Sequence, residues 1–200
     1  MKYLPIDSKL FIENRKKFVS KMKPNSMAIF NSNDEMPRNG DQNFPYRQNS
    51  DLFYLCGIDQ EKTILILYPD CPIPKYRELL LCIETNDIIA VWYGHKYTKE
   101  EATATSGIKT VVWLSQLETI LHELMVNCSN VYLNLNENTR FSTEVPYREV
   151  RFNKWLQEKY PNHTYERATP IITSLRVQKS QYEIELMKSA IAITDKTYKR

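Results

Sequence analysis

Glycine and histidine are scarce in this chain, and each shortage excludes a class of site. Only four glycines occur in 200 residues, and none belongs to a G-x-G-x-x-G or Walker phosphate loop or to a G-x-S-x-G nucleophile elbow. The three histidines, His95, His122 and His163, are isolated from one another. His122-Glu123 begins like the zinc motif H-E-x-x-H, but Val126 stands where the second histidine should be. The sequence therefore carries no local signature of a nucleotide site, a serine hydrolase or a zinc protease.

Long apolar runs, paired cysteines and an excess of charge are also missing. The four cysteines contain no C-x-x-C pair, so a zinc site or a disulfide framework is not expected, and Cys56 and Cys82 lie in apolar runs typical of buried free thiols. No window approaches the roughly 18–20 apolar residues that span a membrane. The first residues lack the apolar stretch of a signal peptide. With a net charge of +3 and no basic block, we expect a soluble cytoplasmic chain without nucleic-acid or membrane partners.

What the chain does contain is an alternation of strand-like apolar runs with amphipathic helices. The predicted strands are Met27–Asn31, Thr63–Tyr68, "ELLLCIE", Ile88–Gly94, "KTVVWL", "NVYLNLN" and "TYERA". The predicted helices run from Asp7 or Ser8 to about Met22, through "TKEEATAT" up to Gly107, from Ser115 through "SQLETILHELMVN", and from Thr143 to Tyr160. The polar segment Asn31–Gln48 is predicted to be a loop. This order predicts an α/β fold with a mixed β-sheet flanked by helices.

The last segment, "SQYEIELMKSAIAITDKTYKR", is strongly helical. Ser180 and Glu183 form a capping box, and Ile184, Met187 and Ile191 lie on one wide apolar side. No glycine, proline or other capping signal ends this helix before Arg200. We therefore expect the chain to be the front piece of a longer protein, whose remaining body covers this helix.

The stretch "FPYRQNSDLFYLCG", Phe44–Gly57, collects polar side chains directly before an apolar run. Asn49 and Asp51 are turn and cap formers because their short side chains bind nearby backbone amides. Arg47 is expected to pair with Asp51 or to bind loop carbonyls. The residue types favour an ordered structural turn over a ligand contact.

A second stretch of interest, "AVWYGHKY", contains Trp92, which is either a core residue or an aromatic contact surface. If Ile88–Gly94 is a strand, Ala90 and Trp92 point to one side, and Val91 and Tyr93 to the other. A tryptophan beside alanine and glycine is either a core residue or a contact surface for an apolar ring or a partner. The residues alone leave both readings of Trp92 open.

Three stretches together resemble the N-terminal domain of the Xaa-Pro aminopeptidases (aminopeptidase P), within the wider creatinase and prolidase group. They are "YRQNSDLFYLCGI", "VWYGHK" and "LRVQKSQYEIELMKSAIAIT". The resemblance implies that residues 1–173 form the family's N-terminal domain, of ribonuclease H-like α/β fold. It also implies that residues 174–200 form the junction and first helix of a pita-bread catalytic domain, whose remainder lies outside this sequence.

The resemblance also implies an activity for the full-length protein. Family members release the N-terminal residue from peptides whose second residue is proline, using two divalent metals, commonly manganese, held in the catalytic domain. The present chain should then contain no catalytic or metal-binding residue and be inactive alone. The family's N-terminal domain supports homodimers or homotetramers and closes over the active site.

Two site residues follow from the same resemblance. Trp92 matches the family's tryptophan that reaches toward a neighbouring subunit's substrate pocket, and His95 stands where the family has a basic residue after the glycine. Both are therefore predicted substrate contacts, whereas Arg47, Asn49 and Asp51 take no catalytic role and keep the structural interpretation.

Three alternatives remain at the level of sequence. One is the N-terminal domain of a Xaa-Pro dipeptidase (prolidase), which shares the metal centre but takes only dipeptides. Another is a stand-alone α/β binding module, against which the uncapped last helix argues. The third is a nuclease-like hydrolase that holds metals on its scattered acids, which are Asp51, Asp59, Glu84 and Asp87.

Overall fold

The computed structural model describes residues 5–199. Within that range the α-helices are α1 (Ser8–Val19), α2 (Ser50–Cys56), α3 (Asp87–Tyr93), α4 (Lys99–Ser106), α5 (Leu117–Asn127), α6 (Arg148–Lys159), α7 (Thr169–Val177) and α8 (Gln181–Tyr198). The strands are β1 (Ser26–Asn31), β2 (Pro37–Asn39), β3 (Gln42–Asn43), β4 (Ile64–Leu67), β5 (Glu78–Cys82), β6 (Thr110–Trp113), β7 (Asn130–Leu133) and β8 (Thr164–Arg167). Short 3₁₀ turns occur at Pro74–Tyr76 and Leu114–Gln116.

The main sheet is mixed, as the sequence predicts. In the described part of the chain its six strands follow the order β6-β5-β4-β1-β7-β8. Strand β4 pairs antiparallel with both β1 and β5, whereas the β1–β7, β7–β8 and β5–β6 pairs are parallel. Strands β2 and β3 form a separate small hairpin inside the predicted loop. The predicted fold class, an α/β domain with a mixed sheet flanked by helices, is confirmed.

Helices cover both faces of the sheet, because the central strands are apolar on both sides. Along β1, Met27 and Ile29 pack into a core with α5 and α6, whereas Ala28 and Phe30 pack into a core with α1, α2, α4 and α7. This alternation is the two-residue period of a strand, and all six residues of β1 are buried. Buried strands of this kind explain the nearly all-apolar runs in the sequence.

A fully buried arginine ties the first helix to the sheet. Arg15 on α1 donates from Nε and Nη2 to the carboxylate of Glu78 on β5, both at 3.1 Å. Its Nη1 donates to the backbone carbonyls of Leu55 and Ser106, both at 2.9 Å. One side chain therefore joins α1, α2, α4 and β5, and its guanidinium is satisfied despite complete burial.

The predicted strand Ile88–Gly94 is wrong, since Asp87–Tyr93 forms helix α3. The side chain of Asn86 caps this helix by accepting a hydrogen bond from the Ile89 N–H at 2.9 Å, and Gly94 follows its last residue. β-Branched and aromatic residues are enriched in strands because they fit a half-buried pleated surface. This segment has no neighbouring strand, so the local capping signals decide its conformation.

Two helix starts also differ from the prediction, and two helices were missed. Helix α6 begins at Arg148 rather than Thr143, with Tyr147 as an extended N-cap residue, and Pro146 disfavours helical geometry at Val145 before it. Helix α5 begins at Leu117, after the 3₁₀ turn that contains Ser115. Two helices were not predicted: α2, which follows the predicted turn at Asn49, and α7, which has Pro170 in its first turn.

The structure also shows the state of two cysteines and the character of the helices. Cys56 and Cys82 are buried free thiols, which confirms that interpretation, and burial raises the pKa of each to about 12. None of the helices formed by residues 5–199 combines the length and the apolar character needed to cross a bilayer.

Candidate functional site

Helix α3 carries a strongly exposed apolar surface. None of its residues is buried, and its large apolar side chains, Ile88, Val91, Trp92 and Tyr93, are each more than two-thirds exposed, with Trp92 at 79%. The core reading of Trp92 is therefore excluded. A contiguous exposed apolar patch often marks an interaction surface, whereas single exposed apolar residues do not. A large indole is a typical anchor of such a surface.

Contacts at both ends attach this helix to the body of the domain. On the N-terminal side, the carboxylate of Glu84 accepts a short hydrogen bond from the Ser115 hydroxyl. On the C-terminal side, Lys96 Nζ lies 2.5 Å from Glu61 Oε1, and the Tyr97 N–H donates to the side-chain carbonyl of Gln60 at 2.7 Å. Helix α3 is thus exposed along its length but attached to the domain through the residues that flank it.

The two basic residues after Gly94 have different environments. His95 is exposed, and its Nε2 lies 3.0 Å from the carboxylate of Glu101 on α4. Lys96 is mostly buried against Glu61, so its charge is already compensated. Of the two, His95 is the one exposed to solvent, three positions after Trp92 in the chain, so a ligand could reach it.

The stretch around Asn49 forms the start of α2. The side-chain oxygen of Asn49 accepts hydrogen bonds from the N–H groups of Asp51 and Leu52, at 2.9 and 3.3 Å, so Asn49 is the N-cap. Arg47 contributes its backbone carbonyl, which accepts from Asn33 Nδ2 at 2.9 Å. The cation that pairs with Asp51 is Arg176 of α7, and not Arg47.

Sequence reasoning missed a buried carboxylate next to Asp51. Glu149 on α6 is 2% exposed, and Asn134 Nδ2 donates both to Glu149 Oε1 at 2.9 Å and to Asp51 Oδ2 at 3.0 Å. Burial raises the pKa of Glu149 to about 7, and the negative charge of Asp51 adds to this, against the opposing hydrogen bonds from Asn134 and Asn49. Nothing in the helical pattern of α6 distinguishes Glu149 from a surface glutamate, because its partners come from other elements.

A groove of about 790 Å³ runs between α1, α2, α7 and α8. Its apolar lining includes Leu10, Phe11 and Met187, and its charged lining includes Arg47, Asp59 and Arg176. On α8, the predicted capping box is present, because the Ser180 and Glu183 side chains bind each other's backbone N–H groups. Met187 and Ile191 of the same helix are half or more exposed.

The acids proposed for a metal site are not brought together. Among residues 5–199, no group of three or more histidine, cysteine, aspartate or glutamate side chains is arranged to hold a metal ion. Asp51 pairs with Arg176, and Glu84 accepts from Ser115. The described residues therefore do not fit a dinuclear metal centre.

Comparison with known proteins relates this arrangement to one family. Residues 11–132 match the family model described as aminopeptidase P, N-terminal domain. The chain is 26% identical to a Xaa-Pro aminopeptidase of Escherichia coli, over 95% of its own length and 43% of the relative's. It is also 26% identical to a Xaa-Pro aminopeptidase of Haemophilus influenzae, over 92% of its own length and 40% of the relative's.

Solved structures show the same likeness. A putative aminopeptidase P from Bacillus anthracis superimposes with a TM-score of 0.83 at 29% identity, over 94% of this chain and 45% of that one. Aminopeptidase P from Escherichia coli with the inhibitor Pro-Leu superimposes with a TM-score of 0.78 at 22% identity, over 98% of this chain and 45% of that one, which supports the fold alone. The chain thus spans less than half the length of the relatives it matches.

Proposed function

Since the chain belongs to the family of aminopeptidase P N-terminal domains, we propose that it serves as the non-catalytic front domain of a Xaa-Pro aminopeptidase. The full-length enzyme would release the first residue from peptides in which proline is second. The observation that carries this proposal is the family match over residues 11–132, and the relatives named Xaa-Pro aminopeptidases support it.

In this proposal the chemistry belongs to a second domain. Residues 1–173 are the front domain, and residues 174–200 lead into a catalytic domain that holds two divalent metals, with manganese as the proposed ion. The exposed apolar side chains of Met187 and Ile191 on α8 support a covering domain, because leaving them in water forgoes the free energy of burial. The metals would activate a water molecule for attack on the peptide bond.

The front domain would contribute to the substrate entrance and to oligomerisation as a cytoplasmic homodimer or homotetramer. The exposed helix α3 supports this part, since Trp92 offers an indole face that needs no hydrogen-bond partner. Proline is a compact apolar ring whose nitrogen carries no N–H within a peptide bond, so an indole face suits it. His95, which is exposed and stands three positions after Trp92 in the chain, is the proposed polar member of the same contact.

A peptidase assay on the full-length protein tests the proposal. With manganese supplied, we expect release of the first residue from an Xaa-Pro-Xaa tripeptide, loss of activity after chelation, and recovery on adding manganese back. Cleavage of an Xaa-Pro dipeptide alone would instead identify a dipeptidase. Activity in the isolated 200-residue chain, or no cleavage of either peptide by the full-length protein, would contradict the proposal.

A further inference from the structure

We propose that Lys96 and Glu61 form a positioning pair that fixes helix α3, and with it Trp92, relative to the sheet. Its consequence for peptide cleavage rests on the proposed function, but its mechanical part does not. Both residues lie outside the apolar contact surface of α3, so their effect on a ligand would pass through Trp92.

The first argument is the burial of this ion pair. The Lys96 and Glu61 side chains are 14% and 8% exposed, with Nζ and Oε1 2.5 Å apart. In every other ion pair among residues 5–199 at least one partner is more than a third exposed, as in Arg15–Glu78, where Glu78 is 38% exposed. A mostly buried pair has a strong geometric preference, because either charge left unpaired there would be costly.

The second argument is the short and restricted chain between this pair and Trp92. Only Tyr93, Gly94 and His95 separate them. Gly94 has φ 76° and ψ 173°, a conformation open almost only to glycine, and it turns the backbone directly from the helix into the buried anchor. The neighbouring Tyr97 N–H is also held, by the Gln60 side chain at 2.7 Å. Fixing residues 96 and 97 therefore fixes the direction in which α3 leaves the domain.

The third argument is that α3 has no buried side chain of its own that could fix its position on the domain. Its residues are all at least partly exposed, and a helix of seven residues is marginal in water without tertiary support. A buried ion pair contributes little net stability, because desolvation offsets the attraction between the charges, but it can select one conformation. We assign that selecting role to Lys96 and Glu61.

Backbone ¹⁵N relaxation on this chain tests the mechanical part. The key variant is the double substitution Glu61→Leu with Lys96→Met, which removes both charges without leaving one unpaired. In the wild type, residues 87–95 should have order parameters near 0.85, and in the double variant they should fall below about 0.6, with an unchanged midpoint of urea unfolding. Lys96→Arg should keep the wild-type values, since arginine retains the positive charge and pairs well with a carboxylate.

Three results would overturn the positioning role. One is low order parameters for residues 87–95 already in the wild type. Another is unchanged order parameters in the double variant. A general loss of order over the sheet would also contradict it, because the pair would then support the fold rather than the placement of α3.

The same variants in the full-length enzyme separate this inference from the proposed function. The double variant should raise KM for an Xaa-Pro-Xaa peptide several-fold with little change in kcat, and Lys96→Arg should keep the wild-type KM. If order is lost but KM is unchanged, the positioning role stands and the substrate role of Trp92 fails. If order is kept but KM rises, the positioning role fails while the peptidase assignment stands.

Discussion

Replacing Glu149 by glutamine should remove a pH-dependent loss of stability. Burial raises the pKa of this carboxyl from 4.5 to about 7 in the folded chain. Below pH 4.5 the carboxyl is protonated in both the folded and unfolded states, so it causes no penalty. As the pH rises from 4.5 to about 7, the unfolded state releases the proton while the folded state retains it, and the free energy of unfolding falls.

The size of this loss follows from the same pKa values. The difference between 4.5 and about 7 corresponds to about 3 kcal/mol once the pH exceeds both. At pH 5 the penalty should still be below about 1 kcal/mol. In the Glu149→Gln variant the side-chain carbonyl can still accept the hydrogen bond from Asn134 Nδ2, which is 2.9 Å long in the wild type, while the buried negative charge is gone.

Urea unfolding at pH 5 and at pH 8 measures the effect. The variant should gain about 3 kcal/mol over the wild type at pH 8 and less than about 1 kcal/mol at pH 5. Glu158→Gln is the matched control, because Glu158 lies on the same helix with a side chain 69% exposed. An equal difference between Glu149→Gln and the wild type at both pH values would refute the reasoning, since it would show that charge is not the cause.

Two further substitutions test the packing around α1. Arg15→Met should destabilise the domain by about 3 kcal/mol in urea unfolding, because it leaves Glu78 and two backbone carbonyls without their donor. A loss below about 1 kcal/mol would contradict this account. Gly57→Ala should cost about 2–5 kcal/mol, because Gly57 has φ 71° and a Cβ there would lie 2.3 Å from the Phe11 ring. Gly40→Ala is its control, with φ 55° and no neighbouring atom within 4 Å of the added Cβ, and similar losses for both glycines would argue against the clash with Phe11.

Features encoded by neighbouring residues could be read from the sequence. The Ser180–Glu183 capping box is three residues apart and occurs as predicted. The helix from Lys99 that ends before Gly107 is also present, with Gly107 in the left-handed conformation. The buried strand within Thr63–Tyr68 follows from an apolar run alone.

Helix α3 was wrongly predicted as a strand because residue types alone do not show whether a neighbouring strand is present. Ile88, Val91 and Tyr93 are residue types that suit a strand, and an alternating pattern was inferred from them. A strand also needs a neighbouring strand, and this segment lies outside the sheet. Asn86, which caps the helix, and Gly94 after its end were the signals that could have identified it.

Contacts between positions far apart in the chain could not be predicted from the sequence. Asp51 and Arg176 are 125 positions apart, and nothing local distinguishes Arg176 from Arg47 as the partner of Asp51. Glu149 shares Asn134 with Asp51, an arrangement that exists only after β7 and α6 have packed against α2. The polar cluster therefore appears only with the fold.

The central claim is that this front domain brings Trp92 to the substrate of a Xaa-Pro aminopeptidase. The most direct test is the KM and kcat of the full-length enzyme for an Xaa-Pro-Xaa tripeptide, comparing the wild type with Trp92→Ala. Val126→Ala serves as control, because Val126 on α5 is also exposed, at 70%. We predict that Trp92→Ala weakens kcat/KM by about tenfold or more, the loss expected for an interface anchor, while Val126→Ala leaves it unchanged. Equal kcat/KM values for the wild type and Trp92→Ala would contradict the claim.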